Sequence, residues 1–153
     1  MKARVLLMLG LMSVIAVMQF SRDASSRDDY LPRLGDIMLG KQWRHIKLWF
    51  AGKQSNWDLA AYELDQLKTS LVDAATLYRD IPVSDVVTMA KPIQSIKEAI
   101  ESKNSTSFVK AFNELTAGCN SCHVNTGRAF IAMQAPIASP FGDQSFTREP
   151  KKK

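Results

Sequence analysis

The chain has 153 residues, 46% hydrophobic and 23% charged, which suits one domain with a single core, and no second domain is expected. Its net charge of +5 lies at the ends: without residues 1–24 the balance is +3, and residues 25–146 sum to zero. The remaining excess sits in a basic tail, 147–153, read as disordered, and a body without a basic stripe argues against nucleic-acid binding.

In chain order, residues 1–24 read as a signal peptide. Lys2 and Arg4 precede an uncharged, mostly apolar run from Val5 to Phe20, 16 residues long. That is short of the roughly 20 residues that span a bilayer, so export is expected, with an uncleaved anchor as the alternative because the cleavage site is weakly marked. A first helix follows Pro32, from about Leu34 to Ala51, and Gly52 is expected to stop it. Leu34, Met38, Ile46, Trp49 and Phe50, with Trp43 between, keep helical spacing. A second begins after the capping candidates Ser55 and Asn56 and lasts to Arg79, with Trp57, Leu64, Leu67, Leu71 and Tyr78 among its stripe, before Pro82 closes it. A third starts at Ser84 with Asp85 in its first turn and repeats Val86, Met89, Ile93, Ile96 and Ile100; Pro92 should kink it. A fourth starts near Thr106 and sets Phe108, Phe112, Leu115, Cys119 and Cys122 on one face, ending near Asn125 before Gly127. Both cysteines should therefore face the core.

The breaks between these segments are short, so consecutive helices are expected to be antiparallel neighbours. The expected fold is all-α: an up-down-up-down four-helix bundle over residues 30–127. Residues 128–146 are Pro-punctuated yet apolar, and are expected to lie over it as an extended strap.

Residues 118–124, GCNSCHV, hold both cysteines and one of the two histidines of the chain. Cys-x-x-Cys-His is the signature of covalent c-type haem attachment: Cys119 and Cys122 bond the macrocycle and His123 ligates iron. Residues three apart on a helix share a face, which suits the two thiols. Three alternatives need the same residues: a thioredoxin-like redox pair, which would require a βαβ setting; a zinc site, which would need His45 as fourth ligand; and a simple disulfide. No Gly-rich phosphate loop or Ser/His/Asp constellation points to an enzyme. Trp43, Trp49 and Trp57 read as packing residues; Glu63, Asp65 and Asp73 as a solvated face; Arg44 and Lys47 as exposed cations, one of which could meet a haem propionate.

With Cys119, Cys122 and His123 at the end of its last helix, the chain resembles the cytochrome c′ type of four-helix c-type cytochrome, over roughly residues 30–127. The b-type four-helix cytochromes are similar in arrangement. The resemblance implies one haem c, His123 as proximal ligand and a distal residue from the first helix. It also implies a periplasmic protein that carries single electrons to redox partner proteins, or binds NO or CO if iron has an open position. A homodimer is an open option, and the membrane is a partner only if the N-terminal segment stays on. The chain departs from cytochrome c′ in its long segment after the motif and in offering a methionine on the first helix. It also departs from the mitochondrial type of cytochrome c, whose motif lies near the N-terminus.

For the sixth ligand, Met38 is the expected residue and His45 the alternative, with Met133 and an open site behind them. If the first and fourth helices are antiparallel, His123 is level with the first turns of the former, where Met38 lies. His45, seven residues on, would be roughly 10 Å deeper and nearer Leu115. Gly35 and Gly40 flank Met38 and would let a haem approach closely.

Overall fold

The computed structural model describes residues 31–147, and Arg33 onward forms one compact unit. The signal or anchor expectation and most of the basic tail lie outside the described residues. Five helices follow in order: α1 Leu34–Lys53, α2 Trp57–Leu77, α3 Val83–Thr88, α4 Ala90–Glu101 and α5 Ser105–Asn125. Among the described residues there is no strand, so this part of the chain is all-α, and no helix is long and apolar enough to cross a membrane. Helix α1 packs along α2 and α4 along α5, while α2 meets α4 and α1 meets α5. The core between them holds Leu48, Leu64, Leu67, Ile96, Phe108, Phe112 and Leu115.

Three helix ends share one construction. After α1, Ser55 is left-handed at φ 55°, and the N–H groups of Ser55 and Asn56 reach back to the carbonyls of Gly52 and Ala51. After α4, Lys103 is left-handed at φ 52° and the Lys103 and Asn104 N–H groups return to Ile100 and Ala99. These are Schellman turns, which satisfy the last carbonyls of a helix. Each of the two then reuses its asparagine as the next N-cap: Asn56 Oδ1 accepts from Leu59 N and Asn104 Oδ1 from Ser107 N. The third ends α5, where Gly127 at φ 71° takes the left-handed position and Arg128 N–H bonds back to His123 O.

Some sequence expectations shift. Gly52 lies inside α1 rather than ending it; a Cβ there would overlap the Phe108 ring, so the glycine serves close packing. The third expected helix is two, α3 and α4, broken at Met89. Pro92 lacks the N–H that would bond Thr88 O, so the break falls a turn before the proline. Helix α2 stops at Leu77, two residues early, because Tyr78 is extended. The inner face of α1 is Lys41, His45, Leu48, Ala51 and Gly52, while Trp43 is half exposed and meets Phe141 edge-on. Glu63 is not solvated: it is buried and paired with Arg44 at 3.0 Å.

Residues 128–146 carry turns and bends only. They are tied at both ends. The Asn120 side chain donates to Met133 O and accepts from Met133 N, and Phe146 is buried beside Phe50.

Candidate functional site

A cavity of about 390 Å³ opens between α1 and the end of α5. From α5 it receives Cys119, Cys122 and His123, from α1 Met38, Lys41 and His45, and from the following segment Arg128, Ile131 and Met133. Cys119, Cys122 and His123 and the three candidates for the sixth ligand, Met38, His45 and Met133, thus line one space, together with Gly35; Gly40, Arg44 and Lys47 do not.

His123 is held by the segment beyond its own helix. Its Nδ1 lies 2.7 Å from Ile131 O. A carbonyl oxygen only accepts, so Nδ1 carries the proton, and a neutral ring then keeps a lone pair on Nε2. Metal-binding histidines are commonly oriented by this kind of Nδ1–H to carbonyl bond.

Both cysteines are free thiols. Burial pushes Cys119 up to about 11, against a smaller opposing pull from the Lys41 ammonium. Cys122 is also raised, first by burial and then by Asp85, whose carboxylate approaches it from α3. Asp85 itself accepts from Asn125 Nδ2 through Oδ1. The pair is therefore kept as neutral thiols.

His45 is used differently. Its Nε2 lies 2.8 Å from Thr116 Oγ1, and the Thr116 hydroxyl spends its proton on Phe112 O. His45 Nε2–H must then be the donor, which leaves Nδ1 as a buried lone pair without a partner. Burial lowers its pKa to about 4, so the ring is neutral, and it rests against Phe112 at 4.4 Å between centroids. Thr116 precedes His123 by seven residues, about 10 Å along α5 at the helical rise, so His45 sits at the inner end of the cavity. Met38 and Gly35 line the same cavity further out on α1, and a Cβ on Gly35 or Gly40 would meet nothing within 4 Å.

Lys41, Arg128, Thr116 and Asn120 were not singled out from the sequence. Only Lys41 had a readable signal, since it lies three residues after Met38 and four before His45, on one helical face. Arg44 and Lys47, expected as candidate propionate partners, are engaged elsewhere: Arg44 with Glu63 and the Tyr62 ring, Lys47 over Phe141. Among the described residues no cluster of three or more His, Cys, Asp or Glu side chains is arranged to hold a bare metal ion. No family model, no curated protein and no solved structure matches the chain.

The residues present fit a haem. Two thiols three residues apart, a histidine whose Nδ1–H is bonded to a carbonyl, an apolar wall and a side-chain-free surface at Gly35 would offer such a group attachment, ligation and space.

Proposed function

We propose that this chain is an exported monohaem c-type cytochrome that carries single electrons. The observation that carries the reading is the His123 Nδ1–H bond to Ile131 O, which aims a metal-binding tautomer from a cavity that also holds both cysteines of the chain. Cys119 and Cys122 would hold the macrocycle covalently, and His123 Nε2 would be the proximal ligand. The haem, when bound, supplies the one-electron centre, and the protein sets its ligands and its access to water.

Met38 would be the second residue to hold the iron in this reading. Met38 lines the cavity further out on α1, nearer the level of His123, whereas His45, whose Nε2–H bonds Thr116 and whose Nδ1 keeps its lone pair, lies at the inner end of the cavity. The four long helices, α1, α2, α4 and α5, form an up-down-up-down bundle, supported by their cyclic packing and by the short Schellman turns that join α1 to α2 and α4 to α5. Residues 128–146 act as a strap that orients His123 and walls the cavity, supported by the Asn120–Met133 and His123–Ile131 bonds.

Expression of the full chain with a c-type haem maturation system should give one haem that survives denaturation. With Cys119 and Cys122 both replaced by Ser, the haem should become extractable by acid and organic solvent. Wild-type protein without the haem mass increment overturns the reading. Optical spectra of the oxidised, reduced and CO-exposed protein test the distal side: Met38→Ala should convert a low-spin haem into a high-spin, CO-binding one, and His45→Ala should leave ligation unchanged. A wild-type haem that is already high-spin and binds CO would instead make the protein a gas binder.

A further inference from the structure

The cavity has a one-sided charge inventory. Two cations line it, Lys41 and Arg128, and no Asp or Glu does. Lys41 is only 9% exposed, and neither cation belongs to an ion pair among the described residues. The acid nearest the motif, Asp85, touches Cys122 from α3 and lines a separate cavity together with Lys91 and Lys110.

An ammonium on a largely buried side chain without a counter-charge is costly, and burial indeed lowers the Lys41 pKa from its ordinary value. Natural chains place such a group where something else will neutralise it. Arg128 is brought to the cavity by backbone chemistry: the Schellman turn at Gly127 bonds Arg128 N to His123 O, and its Nη1 donates to Thr126 O. That single bond leaves most of the guanidinium fork available. The rest of the lining includes Leu34, Leu67, Ile81 and Ile131. The fitting guest has an apolar body and more than one acidic group.

We infer that Lys41 and Arg128 are the counter-ions of the two porphyrin carboxylates, Lys41 from α1 and Arg128 from the end of α5. This rests on the haem reading and adds to it the residues that recognise the charged edge of the group. Lysine's flexible four-carbon stem lets its ammonium follow a carboxylate along the cavity, and the arginine fork can take one bidentately.

Metal-free porphyrins test this without any loaded activity. The full-length apoprotein is titrated by fluorescence with protoporphyrin IX, which carries both carboxylates, and with its dimethyl ester, which has the same apolar body and no charge. Wild type should bind the diacid about tenfold or more tighter than the ester. Lys41→Gln and Arg128→Gln should each remove a large part of that preference while leaving ester affinity unchanged, which shows that the variants are folded. Lys41→Arg should restore it. Equal binding of diacid and ester by wild type, or a preference that survives in the double variant, overturns the inference and leaves the haem reading standing. Failure of both porphyrins to bind, with no covalent haem after maturation, overturns the two together.

Discussion

Around Ala51 and Gly52, helix α1 meets α5 through side chains that leave no space: Phe108 fills the position over Gly52 and touches the Trp57 and Phe112 rings at 6.0 Å. Around Met38 to His45, the same two helices enclose a cavity lined by an unpaired ammonium, two thiols and an imidazole with an orphaned nitrogen. One end satisfies its burial from within the chain. The other leaves polar groups without partners inside the chain, and it is where the Cys-x-x-Cys-His residues lie. If the cavity is the functional site proposed above, filling and function are divided along one helix pair, and substitutions at the two ends should behave oppositely.

The largest effect is expected at the filled end. Phe108→Ala removes a fully buried ring and should cost about 3–5 kcal/mol in urea unfolding of the apoprotein. An equal cost from a substitution of Met38, in the cavity, would erase the contrast.

Next is pH. His45 has a folded pKa of about 4, below the ordinary value of 6.5. The unfolded chain therefore takes up the proton first as pH falls. The contribution of neutral His45 is fully present above about 6.5, declines as pH drops toward 4, and is lost below that, amounting to about 3 kcal/mol. The stability difference between wild type and His45→Leu should shift by that amount across this window. A difference that stays flat from pH 7 to 4 would mean that the buried ring is not neutral.

Asn120→Ala deletes both side-chain bonds to Met133 and should cost about 1–2 kcal/mol, with residues 128–146 becoming susceptible to limited proteolysis. Resistance equal to wild type would show that the Phe146 and Phe141 packing alone holds the segment. The smallest effect has the opposite sign. Lys41→Met in the apoprotein replaces an unpaired ammonium on a largely buried side chain by an apolar chain and should gain about 1 kcal/mol, read from the same urea transitions. Destabilisation would show that Lys41 has a partner within the chain.

Much of the site could be read from residue order because its members are close along the chain. Cys119, Cys122 and His123 lie on one helix, and Met38 and His45 share a face with Lys41 on another, so helical periodicity suffices to group them. What escaped was everything set by contacts between distant segments. Glu63 looks like any helix-surface acid until Arg44 reaches it from α1. Gly52 reads as a helix stop, but the turn is made at Ser55, and the glycine answers to Phe108, far along the chain. The break before Pro92 was expressed one turn early because the carbonyl that loses its partner belongs to Thr88.

By itself the sequence determined the all-helical class of the described residues, most of the helix ends within a few residues and the grouping of Cys119, Cys122 and His123, since each depends on local periodicity, capping or adjacency. Only the tertiary structure decided which histidine nitrogen is free. That choice hangs on Ile131 O for His123 and on Thr116 for His45, partners that lie eight and seventy-one residues away. It also decided which cations face the cavity. Charge on a helix is distributed by which face meets a neighbour, and that is settled by packing α1 against α2 and α5 rather than by any property of α1 alone.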